Sequence, residues 1–527
     1  MFSDPHLAPR PANHRPLTPL DLLARALDVH GARPAVAWRD AVWSYAEFGA
    51  MVARMAAHLR ARGIGPGSVV SVMLPNRPEA LAAQFAVPAL GAVLNTINIR
   101  LSADEVAYIL DHSGSEMLIC DAELRPALGP DAPPVEVVCT APGAGDGLDL
   151  YSGPAPALDL SAAVADETQA IALNYTSGTT GRPKGVVYSH RGAYLNAVGN
   201  ALALGLTAEA RYLWTLPLFH CNGWCHGWAV TAAGGMHVCL DAVRPELVLE
   251  AIRAHAVTHM SCAPVVLYML LEHATEPPPV RVRVATGGAA PTPALLSRLS
   301  ALGFDLAHLY GLTESYGPAT INDPDGTGME IDALAETLAR QGARHVTAGP
   351  ARVVDETGRD VPADGATMGE IVLAGNTVMS GYFRDAEATE EAFRGGVFHT
   401  GDLAVVHPDG QLEIRDRAKD IVITGGENVS TIEVEKTLHG HPDVLLAAVV
   451  AAPHPKWGET PWAFVETRAG SALTEAELDA FCRERLAGMK RPRRVVFGPL
   501  PKTATGKIQK YVLRAQAQEM AQEARTA

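Results

Sequence analysis

The sequence predicts an α/β protein: a large portion of parallel sheets covered by helices, then a smaller α+β portion. Three observations predict it. Short β-branched apolar runs alternate with stretches of helical apolar spacing through the first two thirds of the chain, as in parallel sheets with helices on both faces. After Gly349 the texture changes to short strands and turns. Beyond Arg417 capped helices and strands mix over a length ordinary for a separate domain.

The elements follow in order. Val69 to Leu74 reads as a buried strand, Pro78 to Leu90 as a helix and Val93 to Asn98 as a second strand, which makes a βαβ unit. A helix opened by the capping box Ser102-x-x-Glu105 and a strand at Met117 to Cys120 extend it. Strands near Tyr212 to Leu216, Met236 to Leu240, Val257 to Cys262 and Val282 to Thr286 repeat the alternation. Ligands of such sheets collect at the carboxyl ends of the strands, where the loop Gly287 to Pro291 would lie. Leu403 to Val406, the turn His407-Pro408-Asp409-Gly410 and Gln411 to Ile414 read as a hairpin or part of a small β-barrel. Helices capped at Ser430-x-x-Glu433 and Thr474-x-x-Glu477, with strands at Val444 to Ala452 and Trp462 to Thr467, complete the α+β portion. The stretch from Asp323 to His345 is polar and helical in part and carries no legible chemistry.

With 527 residues, 48% apolar, the chain is too long for one simple core. A net charge of −15 argues against nucleic acid or an anionic membrane as partner. An anionic small ligand would then need concentrated positive charge, for which Lys490 to Arg494, KRPRR, is one candidate. Seven scattered cysteines fit reduced thiols. The proline-rich N-terminus lacks a signal-peptide core, and no apolar run reaches the length of an integral membrane segment, so cytoplasmic residence is expected.

The most informative stretch is YTSGTTGRPKGV, Tyr175 to Val186. Gly178, Gly181 and Gly185 let backbone N–H groups approach a ligand closely. Thr176, Ser177, Thr179 and Thr180 add hydroxyl donors, and Lys184 adds a mobile charge. This chemistry suits the phosphates of a nucleoside triphosphate. The lysine precedes its glycine, so the loop is not the G-x-x-x-x-G-K-[ST] kind.

Four further motifs follow: LYGLTESYG from Leu309, HTGDLA from His399, RDRAKDIVITGGENVS from Arg415 and PKTATGKIQK from Pro501. Together with the glycine-rich loop they resemble, in order and over nearly the whole chain, the signatures of the adenylate-forming superfamily. Within it the chain looks like the acyl-CoA synthetase branch. The resemblance implies an N-terminal domain over 1–416 and a mobile C-terminal domain over 417–527. It also implies ATP, Mg²⁺ and CoA as ligands. A carboxylic acid would be converted to acyl-AMP with release of pyrophosphate, then to acyl-CoA with release of AMP. Homodimers occur among related synthetases, and self-association is compatible with that.

Two anions must meet in the first step, so the resemblance points to residues that manage charge. Lys507 would reach both the carboxylate and the α-phosphate, Thr313 would donate to that phosphate, and Glu314 with Thr179 would hold Mg²⁺. Asp402 would accept the ribose hydroxyls and Arg417 approach the nucleotide. Gly288, Ala289 and Ala290 would lie against the adenine, with Tyr310 on its other face. Lys419 falls at the hinge position, and Gly425 and Gly426 would line the CoA channel.

In FHCNGWCHGW, Phe219 to Trp228, His220 resembles the histidine beside the acyl carbonyl. Trp224 and, from the YGLTE motif, Gly311 fall at the acyl pocket or its gate. A rival reading takes Cys221, Cys225, His220 and His226 as zinc ligands, although structural pairs usually span a longer loop. The HCNGW segment and Ala339 to Gly342 suggest a medium- to long-chain fatty acid, with aryl acids, short branched acids or a carrier-protein thiol as alternatives.

Overall fold

The computed structural model describes residues 4–130, 133, 136–140, 148–160, 164–176, 182–287, 293–324, 328–425, 427–468, 470–502 and 508–526. Two compact units are present. One comprises the chain up to Thr176 with Pro183–Ala351 and Ala374–Glu391, the other Arg352–Leu373 and the chain from Ala392 onward.

The first unit contains two mixed sheets, each with a parallel centre and antiparallel strands at one or both edges. In one sheet, Ala170–Tyr175, Val93–Thr96, Val69–Met73, Met117–Asp121 and Glu136–Thr140 run parallel, and Gly185–Ser189 and Gly381–Tyr382 are added antiparallel at one edge. The other runs Phe304–Leu312, Val282–Gly287, His259–Cys262, Arg211–Leu213, Met236–Val238 and Pro34–Trp38, with antiparallel edge strands at both ends. Buried Val, Leu, Ile and Met side chains from these strands and from the helices Pro245–Ala254 and Pro264–His273 fill one core. The expected βαβ unit is present, and the box Ser102/Glu105 caps the helix Ala103–Ser113.

The strand expected near Tyr212 to Leu216 ends instead at Leu213. The Asn76 amide donates to the carbonyls of Trp214 and Leu216, at 2.8 and 3.0 Å, and draws that backbone out of the sheet.

In the second unit the expected hairpin pairs Phe398–Val406 with Leu412–Arg417 inside a four-stranded sheet. Val444–His454 and Gly458–Thr467 form a long antiparallel ladder, and the helices Thr431–His439 and Glu475–Arg483 start at the expected caps. Lys510 from the helix Lys510–Thr526 meets the half-buried Glu435 at 2.7 Å. Desolvation, with a smaller push from Asp416, raises the pKa of the Glu435 carboxyl against the pull of Lys510. Desolvation also opposes the Lys510 charge, but Glu435, Asp416 and Asp420 outweigh it and raise the pKa of Lys510.

Among the described residues no helix is long and apolar enough to cross a membrane.

Candidate active site

The described ends of the glycine-rich stretch lie on two paired strands. Ala170–Tyr175 and Gly185–Ser189 are antiparallel with Tyr175 opposite Gly185, and the Thr176 N–H donates to the Lys184 carbonyl at 3.0 Å. Ser177, Gly178, Thr179, Thr180 and Gly181 lie outside the described residues, as do Gly288, Ala289, Ala290, Gly426 and Lys507. Lys184 is half-buried, and its ammonium stands 4.7 Å from the centre of the Tyr382 ring, a cation–π contact.

Thr313 and Glu314 open a short 3₁₀ turn at the end of Phe304–Leu312, where parallel strands give way to an antiparallel edge. The turn is held on three sides. Tyr188 donates from its hydroxyl to the Thr313 carbonyl at 2.6 Å, and the Met379 N–H donates to the Glu314 carbonyl at 2.8 Å. Tyr382 donates to Glu314 Oε1 at 2.9 Å. A carboxylate that gives one oxygen to a phenol keeps a second hard oxygen for a cation, so the residues fit Mg²⁺. Tyr382 was not singled out by the sequence. Its signal, an aromatic after Gly381 on an edge strand, is common and becomes specific only in three dimensions.

Gly311 has backbone close on one side. A Cβ there would stand 1.8 Å from the Gly317 carbonyl oxygen across the irregular pairing that follows Tyr310. Tyr310 itself is buried.

The HCNGW segment has an unusual backbone. Cys221, Asn222, Gly223, Trp224 and Cys225 are five successive residues with φ between 42° and 61°, a left-handed turn. This costs roughly 1–2 kcal/mol for each non-glycine residue. Buried amides offset it. The Asn222 N–H donates to Asn174 Oδ1 at 3.1 Å, Thr96 donates to Asn222 Oδ1 at 3.0 Å, and Asn200 donates to the Trp224 carbonyl at 2.8 Å. The turn places Trp224 against the backbones of Gly287 and Gly317, within 3.3 Å of where a Cβ of either would stand. It also places the Cys221 thiol 3.3 Å from Thr313 Oγ1 and 3.8 Å from His220 Nε2.

The four side chains of the zinc reading face different partners. Cys225 Sγ lies 3.6 Å from the Tyr316 carbonyl, and His226 Nδ1 lies 2.7 Å from the Tyr212 hydroxyl. Among the described residues no group of three or more His, Cys, Asp or Glu could hold a metal ion.

In the second unit Asp402 is buried and bonded through Oδ1 to Arg417 Nε at 2.9 Å, directly across the hairpin. Lys419 is exposed as a residue, yet its ammonium is partly desolvated, and that desolvation and then the charge of Arg417 lower its pKa. Arg514 donates to the Lys419 carbonyl at 3.0 Å and pairs with Asp420 at 2.5 Å. Gly425, with φ 61°, occupies the turn between Val422–Thr424 and Glu427–Val429. In the basic run Lys490 to Arg494 the cations have two kinds of neighbour. Lys490 pairs with Glu433 and Arg491 with Asp479, while Arg493 and Arg494 cover the rings of Trp457 and Trp462.

Residues 23–383 match the family model described as AMP-binding enzyme, and 433–507 match the AMP-binding enzyme C-terminal domain. The peroxisomal acetate/butyrate–CoA ligase of Arabidopsis thaliana is 44% identical over 97% of this chain and 96% of its own length. The 2-methylpropanoate–CoA ligase of Humulus lupulus is 40% identical over 98% of this chain and 97% of its own. The o-succinylbenzoate–CoA synthetase of Bacillus subtilis, solved with ATP and magnesium ion, is 29% identical with a TM-score of 0.82, covering 94% of this chain and 98% of that one. The acids in the two ligases' names are shorter than the fatty acid that the HCNGW segment suggested.

Proposed function

We propose, for a chain that belongs to the AMP-binding enzyme family, that it activates a short aliphatic carboxylic acid and transfers the acyl group to CoA. The chain is an acid–thiol ligase that uses ATP, Mg²⁺ and CoA. The observation that carries the choice of acid is the 44% identity, over 97% of the chain, to a ligase named for acetate and butyrate. Trp224 is in keeping with it, as a bulky indole packed close to the backbones of Gly287 and Gly317 at the position proposed for the acyl gate.

In the first step a substrate carboxylate oxygen bonds to the α-phosphorus while the bond to the pyrophosphate oxygen breaks. Thr313 donates to the α-phosphate, and Lys507 and Lys184 face the phosphate oxygens. Asp402 and Arg417 serve the ribose and the nucleotide, and Tyr310 with Gly288 to Ala290 encloses the adenine. Mg²⁺, held by Glu314 and Thr179, would offset the charge of the leaving pyrophosphate. In the second step the CoA sulfur bonds to the acyl carbon, AMP leaves and the thiol proton is lost. His220 stands at that carbonyl, Lys419 is the hinge, and Gly425 and Gly426 flank the thiol channel. For the domain boundary we keep 416/417, which lies between the matched segments 23–383 and 433–507, although the second compact unit already takes in the chain from Ala392. We place the protein in the cytoplasm, in keeping with its free buried cysteines. A homodimer is the assembly to test by sedimentation.

CoA-dependent AMP formation with straight, branched and aryl acids of graded length tests the reading. The expected maximum is at about two to five carbons, with a loss of roughly tenfold or more per methylene once the pocket is full. A maximum at about eight carbons or beyond, or with benzoate, would overturn the choice of acid.

A further inference from the structure

We propose that Cys221 is a positioning residue for Thr313, its thiol fixing the direction of the Thr313 hydroxyl so that the hydroxyl proton is presented to the nucleotide. The inference rests on the adenylation reading above.

A threonine hydroxyl has one proton and can rotate. Left to itself it would share that proton among neighbours, and only part of the population would face a phosphate. The Thr313 backbone cannot adjust, because its carbonyl accepts the Tyr188 hydroxyl at 2.6 Å and Tyr188 stacks on Tyr316 at 4.0 Å. The side-chain torsions and the hydroxyl rotor remain. Cys221 Sγ stands 3.3 Å from Thr313 Oγ1 with the thiol as donor. A hydroxyl oxygen that accepts from one side must aim its own proton elsewhere.

The thiol holds its proton under all ordinary conditions. Burial, with the charge of Glu314 adding to it, raises its pKa to about 12, so the group is a neutral donor and not a reactive thiolate. Cys221 has a second neighbour, His220 Nε2 at 3.8 Å. In the tautomer protonated at Nε2, that histidine donates to the sulfur, and the three groups form a single directed chain: His220 to Cys221, Cys221 to Thr313, Thr313 outward.

The placement is a product of the tertiary structure. Thr313 is 92 residues from Cys221, and the left-handed turn that aims the thiol is held by Asn174, Thr96 and Asn200 from three other elements. No local preference of the sequence HCNGW would generate it.

The test compares Cys221→Ala, which removes the donor, with Cys221→Ser, which keeps one. Two reactions are measured for each: acid-dependent exchange of pyrophosphate into ATP, and thioester formation from preformed acyl-AMP and CoA. Melting temperatures are recorded, and kinetics are taken well below the lowest. For Cys221→Ala we expect kcat/KM for ATP to fall roughly three- to tenfold, the size of one lost hydrogen bond. Cys221→Ser should stay within about twofold of wild type, and in Cys221→Ala thioester formation, where only the long contact to His220 is lost, should fall by less than the exchange reaction. Equal behaviour of the alanine and serine variants, or parallel loss in both reactions, would overturn the proposal. If the wild-type protein exchanges no pyrophosphate with any acid, the functional reading fails instead. Cys221 is then scored by calorimetric affinity for Mg-ATP, where a weakened alanine variant rescued by serine supports the positioning role and equal affinities overturn it.

Discussion

Replacing Tyr382 with phenylalanine separates two contacts that one ring makes. The hydroxyl donates to Glu314 Oε1 at 2.9 Å, and the ring face receives the Lys184 ammonium at 4.7 Å. Phenylalanine loses the first and keeps the second. A hydrogen bond to a charged group contributes about 1.5–3 kcal/mol, and because both residues are half-buried the lower end applies. About 1.4 kcal/mol is tenfold, so KM for Mg-ATP in acid-dependent pyrophosphate exchange should rise roughly tenfold. Tyr382→Ala also forfeits the cation–π contact, about 0.5–1 kcal/mol, and should lose a further two- to fivefold. Burial and the charge of Glu314 both raise the phenol's pKa, so it stays a donor and the difference between wild type and Tyr382→Phe should be constant from neutral pH to about 9. Tighter Mg-ATP binding by the phenylalanine variant would refute the reasoning, since Tyr382 would then be competing with the cation for Glu314. Equal losses in the two variants would show that the hydroxyl carries the whole contribution and that the Lys184 contact carries none.

Asp402→Asn leaves Arg417, whose side chain is 28% exposed, facing a neutral amide; thermal unfolding should show a loss of about 2 kcal/mol, less than the ~3–5 of a fully buried pair. Adding Arg417→Gln should restore part of that loss, and an additive double variant would argue against the pair. Gly311→Ala forces a Cβ toward the Gly317 carbonyl oxygen, where it would stand at 1.8 Å, so it should cost ~3 kcal/mol or more in stability. A stable Gly311→Ala protein with altered acid preference would instead favour the pocket role given by the sequence. Burial lowers the pKa of His226 and His237 to about 3 and of His190 and His345 to about 4. An unfolded histidine binds protons below about 6.5 that these folded ones do not, so their contribution is fully present above that pH and is lost as pH falls toward 4. Each contributes up to ~1.4 kcal/mol per pH unit, so melting temperature should hold from about pH 7.5 to about 6.5 and then drop steadily toward about pH 5; a flat profile would mean the rings are solvated.

What the sequence disclosed was what neighbouring residues decide. The boxes Ser102/Glu105 and Thr474/Glu477 close their reciprocal bonds as read, and the turn at His407 to Gly410 joins strands that pair Val406 with Leu412. Each depends on a spacing of a few residues. The edge strand Gly381–Tyr382 was missed because its partner, Val186 and Val187, lies nearly two hundred residues away along the chain. The left-handed turn was missed for a related reason. Asn222-Gly223 is a turn signal, but five successive residues at positive φ need Asn174, Thr96 and Asn200 to hold them. Motif order could nominate Thr313 and Glu314, whereas the groups that orient them, Tyr188, Tyr382 and Cys221, come from separate strands and turns.

The charge distribution bears on how an acidic chain meets anionic substrates. A net charge of −15 makes the average field repulsive to ATP and CoA, so binding must draw on particular cations. Most candidates in the second unit are already engaged: Arg417 with Asp402, Arg514 with Asp420, Lys510 with the half-buried Glu435, Lys490 with Glu433. A cation paired with a carboxylate presents a dipole to a phosphate, and its charge is recovered only by separating the pair. Lys184 is different, because its neighbour is the Tyr382 ring. An aromatic quadrupole steadies the ammonium without cancelling its charge, so the full positive field remains available beside the glycine-rich stretch. Tyr382 therefore serves both signs at once, directing a hydroxyl to the carboxylate proposed for the metal and a π face to the lysine proposed for the phosphates.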